Sequence, residues 1–97
     1  MIFVHDIFVA KPGNASKLAK MFKEAMKESP DVKNILTDVT GAYNRVIIVS
    51  QYENLGAYEK NWEKMKENPE AAKKMEEAMK GYHDMYLTGS REIFQVW

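Results

Sequence analysis

Residues 2–13 read Ile2-Phe3-Val4-His5-Asp6-Ile7-Phe8-Val9-Ala10-Lys11-Pro12-Gly13. The segment from Ile2 to Ala10 is rich in β-branched and aromatic residues and stops at a Lys-Pro-Gly turn, so it predicts a strand. A strand in a sheet with one wet face alternates apolar and polar side chains. This one does not: Ile2, Val4 and Phe8 make one face apolar, and Phe3, Ile7 and Val9 make the other apolar too. His5 and Asp6 are its polar interruptions, and as neighbours they point to opposite faces. One should meet the helices and the other the far side of the sheet.

Outward from this strand, Ala15, Leu18, Ala19, Phe22, Ala25 and Met26 recur at three-to-four spacing with lysines between them, until Ser29-Pro30 ends the pattern. This predicts an amphipathic helix of roughly four turns. Residues 34–40 predict a weaker, more polar second strand, which Gly41-Ala42-Tyr43-Asn44 joins to a strongly apolar third strand, Arg45 to Tyr52. Leu55, Tyr58, Trp62 and Met65 form the inner stripe of a second helix. Asn68-Pro69 interrupts it; because Asn suits an N-cap and Pro the first helical position, a third helical segment opens there. Its stripe runs through Ala71, Ala72, Met75, Ala78, Met79, Tyr82, Met85 and Tyr86; Gly89 punctuates, and Arg91 to Trp97 is the last strand.

The order β-α-β-β-α(α)-β predicts an α+β fold. Two right-handed crossovers give a four-stranded antiparallel sheet with the helices on one face, the ferredoxin-like split β-α-β plan. Residues 1–97 form a single domain, without an internal linker or repeat. Strand three (Val46/Ile48 and Ile47/Val49) and strand four (Phe94/Val96 and Ile93/Trp97) are also apolar on both faces. The helices bury one set only. The other would be an exposed apolar patch, and the simplest cover is an identical chain, so a homodimer through the sheet face is expected.

Composition narrows the partners. Fourteen basic residues balance fourteen acidic ones, so no positive field is available to displace counterions from a phosphate backbone, and no nucleic acid is expected to bind. The chain has no cysteine, which excludes disulfides, thiol nucleophiles and cysteine-held metals. Its longest aliphatic run, Val46-Ile47-Ile48-Val49, is far too short to span a membrane, and residues 1–6 lack the pattern of a signal peptide. The expectation is a soluble, cytoplasmic protein.

Three segments together resemble the dimeric α+β barrel superfamily, and NIPSNAP-like members in particular. They are strand one running into Lys11-Pro12-Gly13, the Tyr52-x-x-Leu55-x-x-Tyr58 lead into helix two, and the closing Ser90-Arg91-Glu92-Ile93-Phe94-Gln95-Val96-Trp97. The resemblance implies two sheets packed face to face as a barrel, with a small-molecule cavity between sheet and helices. Some members are cofactor-independent monooxygenases of the antibiotic-biosynthesis kind, haem-degrading enzymes or small-ligand isomerases. Haem-degrading members hold haem with a strand-one asparagine, a helix-two tryptophan and a histidine on the following helix. Trp62 matches one of these, but Met75 stands where the iron ligand should be and His83 comes too late, which puts haem in question. No cofactor is expected.

The candidate site residues follow from these placements. Tyr52, Tyr58, Trp62, Tyr82 and Tyr86, with Met65, Met75, Met79 and Met85, cluster on or beside the inner stripes of helices two and three. Aromatics with adaptable methionines suit an apolar ligand cavity, and the same spacing suits plain core packing. The expected ligand-binding set is His5, Asp6, Tyr58, Trp62, Tyr82 and Tyr86, with Trp62 as principal wall. The expected function is binding of a small hydrophobic or aromatic ligand; the alternative is monooxygenase-like oxidation of a small aromatic, with His5 or His83 as base. His83 is equally explained by its place near a helix C-terminus. His5, His83 and Asp84 or Glu92 lack a local metal signature, so no metal is expected. Arg45 and Arg91, the two arginines, suit a buried carboxylate or an anionic ligand, or else an ion pair across a dimer with Glu53 or Glu92 as partner.

Overall fold

The computed structural model describes residues 1–97. Strand β1 (Ile2–Ala10) occupies the middle of the sheet, antiparallel to β3 (Arg45–Tyr52) on one side and to β4 (Tyr86–Gln95) on the other, while β2 (Val32–Thr37) flanks β3. The order β2-β3-β1-β4, with α1 (Ala15–Ala25), α2 (Leu55–Glu67) and α3 (Pro69–Ala78) in the connections, is the ferredoxin-like α+β arrangement. No helix is long and apolar enough to cross a membrane.

Local chemistry sets the element ends. The turn after β1 needs Gly13, whose φ of 85° is costly for a residue with a Cβ. Asn54 caps α2 by accepting from the Ala57 amide at 2.8 Å, and Asn68 caps α3 by accepting from Ala71 at 3.1 Å, with Pro69 opening that helix.

Three boundaries differ from the periodic reading. Strand β2 spans residues 32–37, not 34–40, because Asp38 turns back to bind Arg45 at 3.2 Å and Asn44 takes a positive φ of 62°, so residues 38–44 form a loop. Helix α3 ends at Ala78; Gly81 at φ 84° breaks it, and Tyr82–Asp84 form one 3-10 turn. Strand β4 then begins at Tyr86, which places Tyr86 in the sheet and Arg91 in mid-strand. Gly89, read as punctuation, lies inside that strand opposite Phe8, whose ring comes within 3.6 Å of where a Cβ would be. A strand glycine marks such a close approach.

The core is lopsided. Leu18 and Phe22 of α1 are wholly buried against Ala10, Val46 and Ile48 of the sheet. Neither α2 nor α3 buries a single residue. The α1 half of the chain is closely packed, and the half under α2 and α3 is open.

Register decides which side chains share a face. Val4, Asp6 and Phe8 pair with Ser50, Ile48 and Val46 of β3, and Asp6 pairs with Arg91 of β4, all toward the helices. Phe3, His5, Ile7 and Val9 project the other way, beside Ile47, Val49, Leu36 and Phe94. Leu36 and Phe94 are 44% and 47% exposed, Phe3, Ile7, Val9 and Ile47 are half-buried and Val49 is buried, so this second apolar face is partly open.

Candidate functional site

A cavity of about 300 Å³ opens between the helix face of the sheet and α2 and α3. Its floor is Phe8 and Ile48 of the sheet, and its walls are aromatic and methionine side chains: Tyr58, Trp62 and Met65 from α2, Met75 from α3, and Met79 and Tyr82 beyond it. Binding cavities are mostly apolar with a few convergent polar groups, and this one fits that description. By contrast, the hollow between α1 and β2 is lined by Lys23, Lys27 and Lys33 and has no aromatic residue.

The polar groups gather at one end. Asp6 and Arg91 are direct partners across β1 and β4, and Arg91 Nε donates to Asp6 Oδ1 at 2.6 Å. That bond raises the guanidinium pKa above its ordinary value, so the cation is fixed. The Arg91 Cζ lies 5.4 Å from the Trp62 ring centroid and 5.8 Å from that of Tyr58, within cation–π range of both. Tyr58 in turn packs edge-on against Tyr52 at 5.1 Å and Trp62 at 6.3 Å. Tyr52 Oη accepts from Asn61 Nδ2 at 3.3 Å. Burial pushes the Tyr52 phenol above its ordinary pKa, with a further rise from Asp31, Tyr58 and Asp6. Burial also pushes Tyr82 up, with Tyr86 adding to it.

Tyr58 Oη is buried without a well-formed hydrogen bond, and it lies close enough to the Arg91 guanidinium to add to the rise in that group's pKa. A buried hydroxyl left unmade costs about 1 to 3 kcal/mol, so one without a partner asks for an explanation. Tyr58 lines the cavity through its ring, while its hydroxyl is turned into the protein beside Arg91.

Of the six residues expected to bind ligand, Asp6, Tyr58, Trp62 and Tyr82 line this cavity. The other two do not. His5 projects from the opposite sheet face, its ring 4.9 Å from that of Phe94, because the two-residue period of β1 turns Asp6 inward and His5 outward. Tyr86 sits at the start of β4, stacked near Phe8 and Tyr82, because the helix that was to carry it ends early. The second histidine, His83, is exposed in the 3-10 turn, with Nδ1 3.3 Å from Tyr86 Oη. No three His, Asp or Glu side chains lie close enough together to hold a metal ion.

Both arginines find partners within the chain, Arg45 with Asp38 and Arg91 with Asp6, and neither pairs with Glu53 or Glu92. Asn61, Ser29 and Ser50 are polar cavity residues that sequence reasoning missed, whereas Arg91 was singled out as suited to a buried carboxylate and pairs with Asp6. The signal for Asn61 was its place one residue before Trp62 and three after Tyr58. The partner of Arg91, and its place in the cavity, become visible only once the β1–β4 register sets it opposite Asp6.

No family model matches the chain, and no curated protein matches it. Solved structures do. An uncharacterised NIPSNAP domain protein from Burkholderia xenovorans superposes with a TM-score of 0.81 at 10% identity, covering 100% of this chain and 95% of that one. A NIPSNAP family protein from Agrobacterium tumefaciens gives 0.76 at 13%, covering 97% and 90%. A candidate antibiotic biosynthesis monooxygenase from Nitrosomonas europaea gives 0.61 at 13%, covering 99% and 98%. The chain therefore has the fold of NIPSNAP domains, and more distantly that of the monooxygenase-like proteins. At these identities the likeness concerns the fold and not the chemistry.

Proposed function

We propose that the chain is a homodimer, each protomer of which binds a small hydrophobic or aromatic ligand between its sheet and helices α2 and α3. One observation carries the ligand reading: a cavity of about 300 Å³ is walled by Trp62, Tyr58 and Tyr82, with the Asp6–Arg91 pair as its polar end. A core residue would have closed the space; here the aromatic walls face it. The dimer rests on the second sheet face, where Phe3, Ile7, Val9, Ile47 and Phe94 form an apolar surface that a second copy would cover. A cytoplasmic setting is compatible with a chain that has no cysteine, which a reducing compartment does not require.

A thermal-shift screen of small aromatic compounds tests the reading. A ligand present at a hundred times its Kd stabilises the folded state by about 2.7 kcal/mol, an increase in melting temperature on the order of 10 to 20 °C for a domain of this size. The shift should appear in the parent protein and vanish in Trp62→Ala. A library without any hit in the parent would refute it.

The enzymatic alternative, oxidation of a small aromatic, has support from the monooxygenase-like fold alone. Neither His5 nor His83 lines the cavity, so a base there would have to be Asp6 or a tyrosine hydroxyl.

A further inference from the structure

The polar end of the cavity also bears on which ligands fit, given that the cavity binds ligand at all. Its only ionised lining residues are Asp6 and Arg91, one of each sign, so their charges cancel. The pair is not exhausted. Arg91 spends Nε, one of five N–H donors, on Asp6, and a carboxylate can accept several bonds. Ser50 and Asn61 line the same cavity, and both can donate and accept. The site thus offers spare donors beside spare acceptors, with Trp62 and Tyr82 flanking the apolar space behind them.

We infer that the ligand is a neutral aromatic molecule whose head group both donates and accepts a hydrogen bond, such as a phenol or a primary carboxamide. A ligand carboxylate would bring a second negative charge beside Asp6 in a partly desolvated site, where like charges are costly. A ligand ammonium would meet Arg91 in the same way. A plain hydrocarbon would fill the space but leave the spare Arg91 donors and Asp6 acceptors unpaired. A neutral head accepting from Arg91 and donating to Asp6 satisfies both.

The test is a calorimetric titration of the intact protein at pH 7 with four compounds sharing one tolyl ring: para-cresol, para-toluamide, para-toluate and para-xylene. Cresol and toluamide should bind about tenfold or more tighter than toluate and xylene, the effect of one hydrogen bond to a charged group. Asp6→Asn, checked for folding by circular dichroism, leaves Arg91 uncompensated and should reverse the order, with toluate overtaking toluamide. Toluate binding the parent as tightly as toluamide, xylene doing so, or an unchanged order in Asp6→Asn would overturn the head-group inference while leaving the cavity as a ligand site. No binding by any of the four, xylene included, would overturn both.

Discussion

Truncating Trp62 to Ala distinguishes a cavity wall from a core residue, because the two cost different amounts. Phe22 supplies the reference: it is 0% exposed, and its removal leaves a void in packed surroundings, at about 4 kcal/mol. Trp62 is 43% exposed and borders space that is already open. Relative to Ala it hides on the order of 100 Å², about 2.5 kcal/mol at 25 cal/mol per Å², falling to about 2 once the compactness of the unfolded chain is allowed for. No new void adds to it. At about 4 to 8 °C per kcal/mol, Trp62→Ala should lower the melting temperature by about 8 to 16 °C and Phe22→Ala by roughly twice that. Both are read by far-UV circular dichroism at one protein concentration, since a dimer's stability depends on it. If Trp62→Ala costs as much as Phe22→Ala, Trp62 is a core residue and the cavity is closed in solution.

Other predictions follow from the same geometry. The raised Tyr52 pKa means that the folded state holds the phenol proton more tightly than the unfolded chain does. Its contribution is full below the ordinary value of 10.0 and is lost as pH rises through the higher folded value, so Tyr52→Phe should flatten the fall in melting temperature above pH 10. Ile7→Lys places a charge opposite Ile47 in the middle of the partly open sheet face, and multi-angle light scattering should then give a monomer mass where the parent gives a dimer. A parent protein that is already monomeric contradicts the dimer. Asn68→Ala removes the α3 cap and should cost about 1 kcal/mol by urea unfolding, with no change in ligand affinity.

Much of the architecture was legible because periodicity reports burial directly. The two-faced apolar pattern of β1 and β3 foretold a sheet with a second apolar face, and the adjacency of His5 and Asp6 foretold their opposite directions. What periodicity cannot do is locate a break. Met75, Met79, Tyr82 and Tyr86 continue a three-to-four spacing, yet the helix ends at Ala78 because Gly81 adopts a positive φ that no pattern of apolar residues records. Gly89 misled in the opposite direction: it makes room for the Phe8 ring inside β4. The Asp6–Arg91 pair joins residues 85 apart, so it depends on strand register. The aromatic cluster was visible on helical spacing; that it borders open space was not, since the same spacing serves a packed core.

The central claim, that the space beside Trp62 takes up a ligand, is tested most directly by fluorescence. The chain has two tryptophans, and Trp97 is fully exposed, so Trp97→Phe leaves Trp62 as the sole indole reporter. Titrating that protein with para-cresol, excited at the red edge where tyrosine does not absorb and corrected for the ligand's own absorbance, should give a saturable change in Trp62 emission. A signal that stays flat, or that drifts linearly without saturating, would mean that the cavity holds nothing but water.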